Sequence, residues 1–381
     1  GLDKMDQTTF ERLRADSASG RAWLGQWVAD IEQIHQLEQQ ITDLRLTDPS
    51  SSQTDASLNL EPLATGIPGK KWQQIVNFSA FLSGVDKMDS DRQLLEWCAG
   101  KGYLGRLLSV QNGYGVTSLE WQQPLCEQGE EQIHLLQKRY PQLEQSMVQG
   151  DALAADAKTL LSETQSAVAL HACGDLHTRL IRLCAETGQH LKQVAIAPCC
   201  YHLTEQENYQ TCSRTGQASE LRLSRQDLKI PLQETVTGGK RIERLRDQEL
   251  HWRLSFDSLR QQLTGVTEYK PLPSFAKKLL SADYREFVHW ALINRQLMTE
   301  TELNENSVSN ELLDQSLKQG EERLRRVRKL EWLQSFFRRL LEIWLVADRG
   351  LALQEAGFHV ELHQFCDKSV SPRNLLIRAT R

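Results

Sequence analysis

The sequence predicts an α/β fold: an open, mostly parallel sheet with helices on both faces. Three observations carry this. From about residue 92, short apolar runs alternate with helical patterns. A glycine-rich turn joins the first of these runs to the helix after it. The fourth and fifth runs end abruptly in polar, reactive residues, as strands do where their carboxyl ends line a crevice.

The expected strands are 92–98, 115–120, 146–149, 166–172 and 193–198, with helical patterns at 103–111, 124–140, 152–162 and 175–188. Such alternation argues for right-handed crossovers. Before the sheet, residues 17–45 read as one amphipathic helix. Trp23, Trp27, Ile31, Ile34, Leu37, Ile41 and Leu44 recur there at steps of three and four. TDPSSSQTDAS (47–57) reads as a linker and 70–85 as a second helical stretch. Residues 203–320 break the rhythm and read as a long insertion, polar, charged and mostly helical. A long helix is expected over 321–356. Apolar runs at 358–365 and 373–379, joined by DKSVSPR, fit a hairpin at the sheet edge. The expected organisation is therefore a helical region with linker (1–65), the first part of the core (66–202), the insertion (203–320), and a long helix with a closing hairpin (321–381).

Composition sets the class. The chain has 381 residues, 40% hydrophobic and 25% charged, as in ordinary globular proteins. No run approaches the roughly 18 consecutive apolar residues of a membrane span. The first residues lack the basic start and apolar core of a secretory signal. The eight cysteines are scattered, apart from the pair Cys199–Cys200, and do not resemble a secreted disulfide scaffold. Reduced thiols in a cytoplasm are expected. A net charge of −5 gives no global attraction to nucleic acid, so any polyanion partner needs a local basic face.

LLEWCAGKGYLGRLL (94–108) is a strand, a tight turn and the start of a helix, with Gly100, Gly102 and Gly105 spaced G-x-G-x-x-G. Glycine serves where backbone turns sharply and approaches a ligand, and the free N–H groups at the next helix start favour an anionic group. That spacing also suits a nicotinamide dinucleotide enzyme, since Glu120 ends the next strand where it can bond a ribose. Two acids favour a methyl donor instead. Glu96, four residues before Gly100, can help hold the ammonium of a methionine moiety. Asp151, after the third strand, can accept from an adenine amino group. Cys98, Trp121 and Ala152 flank these positions, and His171 lies at the shared mouth. Together they complete the candidate cofactor set for S-adenosylmethionine.

VALHACGDLHTRL (168–180) and VAIAPCCYHL (194–203) end the fourth and fifth strands. Adjacent parallel strands open on one crevice, so His171, Cys173 and Asp175 are expected near Cys199, Cys200, Tyr201 and His202. Three readings compete. The groups line an acceptor pocket, with His171, Asp175 or His202 as general base and Tyr201 stacking on a planar substrate. Or a cysteine thiolate adds to a pyrimidine, as in cytosine-5 RNA methyltransferases. Or the cluster gathers zinc, although H-x-C and C-C-x-H are not usual zinc spacings; no metal is assigned. Each cysteine alone reads as a small buried hydrophobe.

At these residues the chain resembles a known family. LLEWCAGKGYLGRLL, LHACGDLH, APCCYHL and VSPRNLLIRAT are similar to the methyltransferase-like family once labelled as ribosomal-RNA adenine dimethylase domain-containing. YKPLPSFAKKL (269–279) and IWLVADRGLALQEAGFHVEL (343–362) extend the resemblance over about residues 70–381. HACGD and PCCYH also resemble tRNA 2′-O-methyltransferases that carry a CHHC zinc finger. Residues 1–65 contain no cysteine, so that finger is not expected here. The resemblance implies the Rossmann-like class I methyltransferase sheet of seven strands with an antiparallel C-terminal hairpin. It implies S-adenosylmethionine as donor and an RNA acceptor, tRNA or rRNA. It places Glu96, Gly100, Gly102, Glu120 and Asp151 at the donor. His171, Cys173, Gly174, Asp175 and Pro198 to His202 would face the acceptor, with Ser371 to Asn374 near the same mouth. One departure is plain. After strand four the chain reads HACG, where enzymes methylating exocyclic base amines carry N/D-P-P-Y/F.

Two basic stretches are candidates for phosphate contact. One is 229–254, with Lys240, Arg241, Arg244, Arg246 and Arg253. The other is the start of the long helix, with Arg323, Arg325, Arg326, Arg328, Lys329, Arg338 and Arg339. Either can equally be a solvated helix face.

Overall fold

In the computed structural model, which describes residues 2–42, 59–82, 92–233, 240–299, 301 and 308–381, seven strands form one sheet. They are β1 (Gln93–Trp97), β2 (Gly115–Glu120), β3 (Gln145–Gln149), β4 (Ser166–Cys173), β5 (Gln193–Cys199), β6 (His359–Gln364) and β7 (Leu375–Thr380). Their order is β3-β2-β1-β4-β5-β7-β6. The first five run parallel. β7 enters antiparallel between β5 and β6. The strand ends lie within one or two residues of those expected.

Burial on both faces explains why these strands read as unbroken apolar runs. Successive side chains point to opposite sides. Leu94, Val116, Val168, Ala195 and Ala197 face a core closed by helices Gly69–Ser79, Tyr103–Asn112 and Gln123–Gln137. Leu95, Trp97, Leu119, Ala167, Ala169 and Ile196 face a second core, closed by helices Ala157–Ser162, Asp175–Glu186 and Arg338–Glu355. The chain leaves β1 for β2 and β3, then returns to β4 on the other side of β1. Connections diverge at that point, which opens a crevice at the carboxyl ends of the strands.

The sheet belongs to a unit of residues 30–236 and 337–381, and residues 1–29 with 237–336 make a second compact unit. The second unit is helical: Gln7–Ala15, Ser17–Leu24, Lys240–Thr264, Tyr284–Asn294 and Asn310–Ser335. Phe10, Trp23 and Phe336 pack around Trp332 in one of its cores. Elsewhere in it the buried Asp257 carboxylate is held between Arg260 at 2.8 Å and Arg323 at 2.9 Å.

Two expected helices are each broken. The stretch 17–45 divides into Ser17–Leu24 and Ile31–Thr42. The Asp30 carbonyl accepts the Ile34 N–H and starts the second piece. Leu44 and the linker 47–57 lie outside the described residues, as do 83–85 and Thr237 to Gly239. The stretch 321–356 divides at Phe336 and Phe337. There the Ser335 hydroxyl bonds back to the Trp332 carbonyl, which competes with the helical ladder. Apolar spacing runs through both breaks, so periodicity cannot show them.

Several arginines expected on a solvated face are engaged within the chain. Arg328 pairs with Asp247 and Arg325 with Glu321, and the Lys329 ammonium donates to the Met5 carbonyl. Arg339 is buried, bonding Glu342 at 2.6 Å and Asn374 at 3.1 Å. Among the described residues, no helix is long and apolar enough to cross a membrane.

Candidate functional site

The turn after β1 takes an alternating backbone. Cys98 (φ 58°), Gly100 (φ 62°) and Gly102 (φ 68°) are left-handed, and Gly102 caps helix Tyr103–Asn112. Cys98 thus stands in a conformation that favours glycine. The Gly100 N–H donates to Glu120 Oε2 at 2.9 Å, and the Gln122 N–H donates to its other oxygen at 3.0 Å. One carboxylate therefore ties the β1 turn to the β2 turn.

Gly105 serves another purpose: it sits in the helix, and a Cβ there would lie 2.4 Å from Gln145 Nε2 and 2.6 Å from Glu96 Oε2. Glu96 is buried beneath the turn. Strand alternation places it on the Leu94 side rather than at the strand mouth. The Ser118 hydroxyl donates to it at 2.7 Å, and Gln145 donates both to Ser118 Oγ at 2.8 Å and to the Gly102 carbonyl at 3.0 Å. Glu96 thus underpins the loop from below. Ala152 likewise packs in the core under the sheet end.

Burial pushes the Glu96 pKa up from an ordinary 4.5 to about 7, against the Ser118 hydroxyl and the helix N–H groups. Between these values the folded state holds more protons than the unfolded, so the group costs stability as pH rises through that window. The full effect is on the order of 3 kcal/mol. Urea unfolding at a series of pH values is expected to show Glu96→Gln gaining on the parent between pH 4.5 and pH 7. A difference that does not vary with pH would refute this.

At the other end, β4 is irregular between Leu170 and Cys173, and His171 is left-handed at φ 68°. Its Nε2 lies 2.6 Å from Gln74 Oε1, and burial, with the Lys71 and Arg373 charges, holds its pKa below the usual range. The Gly174 N–H donates to the Cys199 carbonyl and the Asp175 N–H to the Leu203 carbonyl. The Asp175 carboxylate accepts from the Glu205 N–H at 3.1 Å. These bonds lock the ends of β4 and β5 together.

A cleft of about 610 Å³ spans both ends, lined by Trp121, Asp151 and Leu153 on one side and by Cys173, Asp175, Leu176 and His202 to Glu205 on the other. Arg225, Gln226 and Lys229 complete its wall. Trp121 is 64% exposed, an indole face open to a planar ring. The Asp151 carboxylate caps the local turn by accepting the Leu153 N–H at 2.9 Å. Burial lowers the His202 pKa.

Tyr201 is a correction. It is 2% exposed, its ring under the Arg349 guanidinium at 4.9 Å and edge-on to His177 at 6.0 Å. Buried between Arg349 and His177, it cannot stack on a substrate. Cys199 and Cys173 approach at 3.5 Å between sulfurs. The eight cysteines are free thiols. Cys200 is the most readily ionised of the trio, since Cys173 and Cys199 donate to it. Cys98 is pushed up to about 12 by burial.

A buried polar network supports this wall. Arg349 donates to His177 Nε2 at 2.7 Å, to the Tyr209 hydroxyl at 2.9 Å and to the Leu345 carbonyl at 2.7 Å. Asp348 accepts from the Tyr209 hydroxyl, the Cys212 N–H, and both the N–H and hydroxyl of Ser213. Sequence reasoning missed Asp348, Arg349, Gln74, Lys71 and Gln145. Two signals were available: adjacent charges inside the apolar run IWLVADRG, and a glutamine opening a buried strand.

Residues 70–207 match a family model described as a methyltransferase domain. The strand order and the turn after β1 give a Rossmann-like sheet of the class I methyltransferase kind. Similar solved structures include the bifunctional kinase-methyltransferase WbdD, at 13% identity over 37% of this chain and 29% of that one, with a TM-score of 0.23. The glycopeptide N-methyltransferase MtfA complexed with S-adenosyl-L-methionine is 17% identical over 39% of this chain and 58% of that one, TM-score 0.22. Human methyltransferase 10 domain containing protein is 16% identical over 44% of this chain and 79% of that one, TM-score 0.25. The chain thus spans less than two thirds of the first two, and the TM-scores are too low to carry equivalence of sites. No curated protein matches the chain.

Proposed function

We propose that the chain transfers a methyl group from S-adenosylmethionine to an RNA, tRNA or rRNA, in a reducing compartment such as the cytoplasm. The cleft is the observation that carries this reading. Its Trp121–Asp151 side suits the adenosine of the donor, by ring stacking and by acceptance from the adenine amino group. Its Cys173–Asp175–His202 side suits the acceptor, and Arg225 and Lys229 add positive charge for a phosphate-bearing molecule. The resemblance of HACGD and PCCYH to tRNA methyltransferases supports the same acceptor class. An acceptor lone pair attacks the sulfonium methyl in line. The carbon–sulfur bond breaks, S-adenosylhomocysteine leaves, and the acceptor's proton passes to a base among His171, Asp175 and His202. Much of the rate comes from holding the two reactants in line.

Labelled donor supplied to cell lysate is the test. Label is expected in material destroyed by RNase. Label that survives RNase and is lost to protease overturns the RNA acceptor, and donor binding without any transfer overturns the enzymatic reading. For the donor side, Asp151→Ala is expected to weaken S-adenosylhomocysteine binding by about 1.5–3 kcal/mol, the value of a hydrogen bond to a charged group, or roughly ten- to a hundredfold. Gly102→Val should weaken it at least as much, since a Cβ there meets Gln145 Nε2 at 2.6 Å. Calorimetric titration showing parental affinity in both would remove the assignment.

A further inference from the structure

We infer that Cys173, Cys199 and Cys200 form a binding site for a thiophilic, tetrahedral divalent ion of the zinc class, with its fourth position turned toward the cleft. Their three sulfurs all lie within 4.8 Å of one another. Zinc–thiolate bonds of about 2.3 Å put tetrahedral sulfurs roughly 3.8 Å apart, so three corners of the polyhedron need only small side-chain adjustments.

This convergence is not what strands do. Consecutive side chains in a strand point to opposite faces, so Cys199 and Cys200 would normally diverge. Here Cys199 is the last residue of β5 and Cys200 leaves it at φ 48°. Across the sheet, β4 shifts register just before Cys173, with His171 at φ 68°. A left-handed non-glycine residue costs about 1–2 kcal/mol, and the chain holds two of them around one cluster. Strain of this kind persists where surrounding structure enforces it and concentrates at functional sites. H-x-C and C-C-x-H are not usual zinc spacings; the two backbone departures bring the three sulfurs together.

Charge and access agree with a metal. Three thiolates around a divalent ion leave one net negative charge. The Arg373 guanidinium, brought from the loop before β7, acts electrostatically on both Cys173 and Cys200 and offsets it. Cys199 is buried, while Cys173 also lines the cleft. Three protein ligands with one open position is the ligand count of a catalytic zinc site rather than a closed structural one.

The test is metal content of the full chain, purified under reducing conditions with zinc and then freed of unbound metal by dialysis. Near-stoichiometric zinc is expected in the parent and in Cys366→Ser, a cysteine outside the cluster. Background levels are expected in Cys173→Ser, Cys199→Ser and Cys200→Ser. Cobalt in place of zinc should give thiolate-to-metal charge-transfer bands and tetrahedral ligand-field bands, lost in the same three variants. Far-ultraviolet circular dichroism and a parental urea-unfolding midpoint confirm that each variant is folded. Background zinc in the parent overturns the site. So does zinc retained in all three folded variants, or a Cys173–Cys199 disulfide in unreduced peptide maps of metal-free parent protein that zinc does not prevent. Because the readout is metal content, failure here leaves the methyl-transfer reading untouched, and failure of transfer leaves this site standing.

Discussion

Gly174→Ala is expected to lose about 4 kcal/mol of stability or more, together with methyl transfer. Gly174 has φ 53°, and a Cβ there would fall 1.8 Å from the Leu203 carbonyl oxygen and 2.6 Å from its carbon. Both are backbone atoms, and that carbonyl already accepts the Asp175 N–H, so no side-chain rotation relieves the clash. The ends of β4 and β5 must separate, which spreads the cleft wall at Cys173 and Asp175. Gly188→Ala is the control. Gly188 is also left-handed, at φ 64°, but nothing lies within 4 Å of its added Cβ, so only the backbone term of about 1–2 kcal/mol applies. Urea unfolding of both variants reads the difference, and equal losses would show that the close approach does not matter.

Asp348→Ala is expected to cost about 3–5 kcal/mol, the range for removing one partner from a buried charged group. Four hydrogen bonds from Tyr209, Cys212 and Ser213 lose their acceptor at once. Arg349, fixed by His177 and Tyr209, also loses a neighbouring charge. The segment 204–232, which supplies Arg225 and Lys229 to the cleft, then loses its buried anchor at 209–213 and keeps the Asp175 bond to Glu205, the core packing of Leu228 and the surface bonds of Glu355 to the Arg214 and Thr215 N–H groups. Limited proteolysis should cut Asp348→Ala within 204–232 far faster than the parent. Glu355→Ala should leave cleavage and stability close to the parent's, as loss of an exposed pair does. Unchanged cleavage in the Asp348 variant would show that this network does not hold the wall.

The sheet was readable because burial on both faces turns each strand into a bounded apolar run. The direction of individual side chains was harder. Glu96 looked like a ligand from its distance to Gly100. Its parity with Leu94 already put it on the helix-covered face, and that simple count would have sent it under the loop. Tyr201 lies beyond the end of β5, where the chain turns at Cys200, so strand parity gave no guide to its direction. The glycine fingerprint singled out 100, 102 and 105, whereas the left-handed positions are 98, 100 and 102. Gly105 instead makes room for Gln145 and Glu96. The helix breaks at 25–30 and 336–337 stayed hidden because apolar spacing carries through them. Adjacent strand ends already put Cys173 beside Cys199 and Cys200, whereas the close approach of all three sulfurs depends on φ values at His171 and Cys200 that no residue type announces.

The place of β7 bears on how the protein is made. Strand β5 is flanked by β4 on one side and by β7 on the other, with Ile196 opposite Ile377. During synthesis β5 emerges long before its second neighbour, and residues 237–336, the larger part of the helical unit, are translated in between. Until Leu375–Thr380 arrives, the most apolar strand of the sheet presents a bare hydrogen-bonding edge, the kind of edge that recruits other chains. Slow elongation through the insertion would prolong that exposure. A nascent chain stalled before residue 375 should therefore bind chaperones and precipitate, even though its cofactor turn, its first five strands and its cysteine trio are already present.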